Sequence, residues 1–167
     1  RYKIDSYDGA DHSWGPRKEE GIRAMGWTAA AFGPDYGLHT VFHLNLKNGE
    51  VIYDKLRFGY VVDEGQTYGL VSAELTATRI DMIAVSNHIR AVDVRGKVHE
   101  MRGTAVAGHP QYAINPCQAV FQTLFRYEVN GRVGYGESAD CFGLDYLAER
   151  MSALGRYRGG VPPASSK

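Results

Sequence analysis

The densest grouping of chemically capable side chains in the sequence is Asp11-His12-Ser13-Trp14-Gly15-Pro16-Arg17. Histidine is the side chain whose unperturbed pKa lies near neutrality, so His12 can give or take a proton. Trp14 offers a flat apolar wall with one N–H donor, and Asp11 and Arg17 bracket the pair with opposite charges. Together they could orient and protonate a ligand, with His12 and Asp11 as acid–base residues and Trp14 and Arg17 as ligand contacts. The same residues also allow a plainer reading. Gly9, Gly15 and Pro16 would make a turn, Trp14 would plug a barrel end, and Asp11 and Arg17 would pair at the surface.

An Asp-His-Ser-Trp-Gly run followed by a basic residue resembles the motif that opens the C-terminal half of the carotenoid 1,2-hydratase (hydroxyneurosporene synthase) family and its lipocalin-like relatives, some of which steer cyclisations. The strand-rich layout of residues 1–142 is similar as well, and the motif is the specific part. The resemblance implies two calycin-type antiparallel β-barrels with a ligand cavity near their junction. This chain would then be the C-terminal half, with an N-terminal domain as its partner. It also implies that His12 and Trp14 line the active site. Where the hydratases place a Tyr-x-Asp pair on a following strand, this sequence has Asp35-Tyr36, reversed and adjacent, and Tyr36 is kept as a candidate ligand contact.

Further candidates come from elsewhere in the chain. His39 and His43 sit at the i, i+4 spacing of a zinc pair on a helix, but on a strand four residues span about 13 Å, too far to share one ion. The Thr, Val and Phe around them favour the strand. Two readings stay open: both histidines line a barrel cavity as ligand contacts, or their face is solvent and Leu38, Phe42 and Leu46 are the core. Glu137, shortly after a hairpin turn, is a candidate acid if it points inward and a surface charge if it does not. Glu137 and Asp140 cannot share a face of one strand. Ser13 beside His12 lacks a nucleophile elbow, and Gly131-Arg132-Val133-Gly134-Tyr135-Gly136 lacks the dinucleotide-binding spacing. No metal and no cofactor are expected.

Composition narrows the partners. Lys plus Arg and Asp plus Glu each number 19 in 167 residues, so the formal charge is zero and no long-range field would attract nucleic acid. Eleven tyrosines, six phenylalanines and two tryptophans interleave with His rather than with Lys or Arg, which favours an apolar small molecule. Two cysteines, Cys117 and Cys141, are too few for a disulfide framework and are read as reduced. No apolar run approaches the roughly 20 residues of a membrane helix, and no signal-peptide pattern is read. Cytoplasmic location is the expectation. The chain opens on Arg1 and not on Met, in keeping with a partner domain beyond it.

The elements that must position these residues are strands. Leu38 to Leu46 alternates, with Leu38, Thr40, Phe42, Leu44 and Leu46 on one face, and Lys47-Asn48-Gly49-Glu50 reads as a turn into Val51-Ile52-Tyr53. Strand patterns follow at Phe58 to Val62, Gly69 to Thr78, Asp81 to Val94 and Lys97 to Val106. Ala119 to Val129 is the longest alternating run, and Asn130-Gly131 after it is the strongest hairpin signal. One helix is expected over Leu144 to Leu154, ended by Gly155, and Gly159 to Lys167 reads as a disordered tail.

The expectation is an all-β fold, a lipocalin-like antiparallel barrel or bent sandwich with one C-terminal helix, forming a single domain over residues 1–158. It would bind a hydrophobic isoprenoid-like or polycyclic molecule, and as an enzyme it would catalyse cofactor-independent acid–base hydration, isomerisation or cyclisation. The alternatives are a non-catalytic lipid- or terpenoid-binding module and a structural half-domain.

Overall fold

The computed structural model describes Lys3 and residues 23–47, 49–111 and 117–153. Eight antiparallel strands close a barrel in chain order: β1 (Ala24–Ala31), β2 (Tyr36–Lys47), β3 (Glu50–Asp63), β4 (Gln66–Ile80), β5 (Ile83–Asp93), β6 (Val98–Gln111), β7 (Gln118–Val129) and β8 (Arg132–Gly143), followed by α1 (Leu144–Ala153). Each strand pairs antiparallel with the next, and β1 pairs with β8 to close the ring. Asp11, His12, Trp14 and Arg17, Leu154 and the expected tail lie outside the described residues.

Turn chemistry sets the registers. Asn130 and Gly131 both have positive φ, at 46° and 78°, as a type I′ turn demands, and they pair Val129 with Arg132. Glu64 and Gly65 do the same between β3 and β4, at 54° and 73°. The segments read as Val51 to Tyr53 and Phe58 to Val62 form one continuous strand, because bulges at Asp54 and Arg57 each insert an extra residue opposite β2 and reset the alternation.

Alternation then sorts the barrel into an inside and an outside. Leu38, Phe42, Leu44 and Leu46 of β2 face inward with Ile89, Met101, Phe121, Phe125 and Phe142 and form the core. Tyr146 of α1 joins them by laying the helix over one end, and its hydroxyl accepts a 2.9 Å hydrogen bond from the Leu46 N–H. The opposite end, where the Asp63 and Asp93 turns lie, is tied by ion pairs: Lys97 to Asp63 at 2.6 Å, and Arg95 to Asp63 and Asp93 at 2.7 and 2.5 Å.

One seam in the wall is short. β3 and β4 pair only from Tyr60 opposite Gly69 to Asp63 opposite Gln66, next to their shared turn. Over Val51–Gly59 and Leu70–Ile80 the two strands form no ladder with each other, although each pairs with its other neighbour. Across this stretch a guanidinium N–H of Arg79 on β4 donates to the hydroxyl of Tyr53 on β3 at 2.6 Å.

Candidate functional site

The lumen carries a connected string of polar side chains set among apolar ones. Four buried hydroxyl residues stand in register on neighbouring strands: Thr40 on β2 opposite Thr28 on β1, Thr28 opposite Ser138 on β8, and Ser138 opposite Thr123 on β7. Small neighbours flank this row, Gly59 opposite Thr40 and Gly108 opposite Thr123. Thr28 donates to Ser138 at 3.1 Å. On one side the string continues through Thr28 to the Tyr127 phenol, which also accepts a 2.9 Å bond from the Asn87 amide. On the other it runs through Ser138 to Tyr53 and so to Asp140 and Arg79.

The last three form the charged part of the site. The Tyr53 hydroxyl lies 3.0 Å from each carboxylate oxygen of Asp140, and Arg79 pairs with the same carboxylate at 2.5 Å. The Asp140 side chain is 3% exposed and that of Arg79 is 11% exposed. Burial pushes the Asp140 carboxyl above its ordinary range, opposed by the Arg79 charge and by the hydrogen bonds from Arg79 and Tyr53. Burial and the nearby Asp140 charge also raise the Tyr53 phenol well above normal, so it is a neutral donor at any physiological pH. For Arg79, burial favours loss of the proton, but Asp140 and Tyr53 outweigh it and the guanidinium stays charged. Gly26 makes the packing possible, since a Cβ there would stand 2.6 Å from an Asp140 oxygen and 3.2 Å from the Tyr53 ring. Among the described residues, Thr40 Oγ1, Arg79 Nε and Asn87 Oδ1 are buried in this lumen without a hydrogen-bond partner.

The residues singled out by sequence fall elsewhere. Glu137 lies on the outer wall, where its carboxylate accepts from the Gln122 amide, because the parity of β8 sends Ser138, Asp140 and Phe142 inward. His39 and His43 also face outward, which settles the two readings of that strand for the core formed by Leu38, Phe42 and Leu46. His39 stacks beside Phe58 and Tyr60 on β3, with ring centroids 6.0 and 5.3 Å away, and His43 is exposed. Tyr36 does face inward, at the end of the barrel away from α1. Its hydroxyl meets His99 Nδ1 at 3.1 Å, and His99 Nε2 meets Asp93 at 3.0 Å. Burial, aided by the charge of Asp63, pushes the Tyr36 phenol up to about 12.

Among the described residues, Asp63, Asp93 and His99 group three metal-capable side chains, with ligand atoms within 4.8 Å of one another. Arg95 and Lys97 already place their cations on those carboxylates. Arg95 above all, and then His99, hold Asp93 well below the usual carboxylate range. Asp93 also accepts the backbone N–H groups of Arg95 and Lys97, so this cluster fastens the β5–β6 turn. A metal ion would have to displace both cations.

A family model described as a domain of unknown function, DUF7064, matches residues 1–141. The chain belongs to this family. The matched region takes in the Asp11–Arg17 motif and all but the last two residues of β8, and so contains Tyr53, Arg79 and Asp140. No curated protein and no solved structure matches the chain. No helix among the described residues is long and apolar enough to cross a membrane.

Proposed function

We propose that the barrel of this DUF7064 protein binds a hydrophobic, isoprenoid-like or polycyclic small molecule in its lumen, with Tyr53, Arg79 and Asp140 fixing the ligand's orientation. The observation that carries the reading is the polar string set among apolar lumenal side chains, with Arg79 Nε and Thr40 Oγ1 buried and without a partner among the described residues. A purely structural core would gain nothing from such groups, because each costs free energy until something satisfies it. A few convergent polar atoms on an apolar wall are what small-molecule sites are built from. The seam between β3 and β4 runs beside these groups, and entry there would break no hydrogen-bonded ladder.

Retinol fluorescence provides the test. Retinol should gain fluorescence on binding, and farnesene should displace it. Ala77→Phe, which enlarges an inward-facing residue of β4 beside the seam, should weaken retinol binding at least tenfold while the exposed replacement Glu74→Phe does not. Undiminished binding in Ala77→Phe would remove the lumen from the account.

A second reading adds catalysis, and the raised Asp140 carboxyl favours it. In its protonated form Asp140 would give its proton to an alkene carbon. Water would then add to the resulting cation and return a proton to Asp140, so hydration needs no cofactor. His12 and Trp14, which the sequence motif nominates as proton carrier and cation-shielding wall, would act from outside the described residues. A binder that turns over no terpenoid alkene would leave the carrier reading in place.

A further inference from the structure

We infer that the lumenal site holds its ligand through a neutral oxygen acceptor, of the ketone, ester or alcohol class, taken by the inner N–H of Arg79; this rests on the lumenal binding proposed above. Three of the five N–H donors of Arg79 are committed. One terminal nitrogen donates to the Met82 carbonyl at 2.9 Å, and the other serves the Tyr53 hydroxyl at 2.6 Å and Asp140 at 2.5 Å. Nε–H is buried with no acceptor among the described residues. An incoming oxygen that accepts from it recovers what desolvation of the N–H has cost.

Charge decides which oxygen. Arg79 and Asp140 already balance one another within the lumen, and among the described residues no other lysine or arginine is buried. A carboxylate or phosphate would bring an uncompensated negative charge into a low-dielectric interior, which is costly. A neutral oxygen satisfies the N–H and leaves the balance untouched. The Thr40 hydroxyl, in a residue with no exposed surface, is a second unpartnered group in the same lumen.

Placement along the seam supports an elongated apolar remainder. The β3–β4 ladder ends at Tyr60 and Gly69, and the inward residues of β4 after Leu70 include the small side chains of Ala73 and Ala77, leading to Arg79. A molecule entering between the strands would pass these alanines before its oxygen met the guanidinium.

The experiment compares three probes with the same isoprenoid chain at neutral pH: farnesyl acetone, a ketone; farnesene, a hydrocarbon; and farnesoic acid, a carboxylate. The ketone should bind at least tenfold tighter than the other two. R79K keeps a cation beside Asp140 but has no inner guanidinium N–H, so it should bring the ketone and farnesene to equal affinity. In the wild-type protein, the nitrogen-15 resonance of Arg79 Nε should shift on adding the ketone and stay in place with farnesene, so the test holds even if R79K fails to fold. Tightest binding by the acid, equal binding by all three, or a ketone preference that survives in R79K overturns this inference and leaves lumenal binding standing. If none of the three binds, the lumenal reading falls and the inference with it.

Discussion

Tyr53 and Asp140 sit on β3 and β8, which are separated around the barrel by β1 and β2, yet the phenol lies 3.0 Å from both carboxylate oxygens. The contact crosses the lumen. It places a neutral donor and a guanidinium on one buried carboxylate, and the side chains that make it come from elements far apart in the sequence.

The Arg79–Asp140 pair should behave as a buried ion pair. Asp140→Asn leaves the Arg79 charge uncompensated and should cost about 3–5 kcal/mol in urea unfolding, whereas the double replacement Arg79→Met with Asp140→Leu should recover most of that loss. Equal, additive losses in a double-mutant cycle would show that the two side chains do not act as a pair.

Gly26 is needed where it is. Gly26→Ala puts a methyl group 2.6 Å from an Asp140 oxygen, so the carboxylate must shift away from Tyr53. Overpacking of this kind costs about 1–3 kcal/mol, and retinol affinity should fall with stability. Ordinary stability in thermal unfolding would contradict the packing described.

Acid should weaken the fold through the turn end of the barrel. Asp93 and Asp63 are held below their ordinary pKa by Arg95 and Lys97, so both stay charged in the folded state where the unfolded chain begins to take up protons. Their contribution is present above the unfolded value of about 4 and is lost as pH falls through the lower folded values. Asp140 has the opposite sign, because its raised folded pKa means that protonation on acidification relieves a penalty. The urea midpoint should drop below about pH 4, and Asp93→Asn should flatten that drop while lowering stability at neutral pH.

The two cysteines should differ in reactivity. Burial pushes the Cys141 thiol up to about 12, whereas Cys117 is exposed. At mildly alkaline pH a thiol reagent should label Cys117 rapidly and Cys141 only on unfolding, since the thiolate is the reactive form. Equal rates in the folded protein would contradict the placement of Cys141.

Much of the barrel was legible because alternation and turn residues act locally. Leu38 to Leu46, Ala119 to Val129 and Asn130-Gly131 each stand where the pattern puts them, and α1 covers the expected segment as far as Ala153, the last described residue. The site was less legible because parity decides it. On β8, Glu137 and Asp140 differ by three residues and so fall on opposite faces, and only closure of the ring shows which face is inside. Tyr53 was hidden by the bulges at Asp54 and Arg57, which cut one strand into two apparent ones. Arg79 lay one residue past the strand end read at Thr78. The available signal was a lone arginine at an inward-parity position after Ala73, Leu75 and Ala77, since a charge there needs a buried partner.

The most direct test of lumenal binding is an intermolecular NMR measurement on the protein saturated with farnesyl acetone. The account predicts nuclear Overhauser contacts from the isoprenoid chain to Ala77 and Thr40 and from the ketone end to Tyr53. Contacts confined to the outer-wall residues Phe58 and Tyr60 would contradict it.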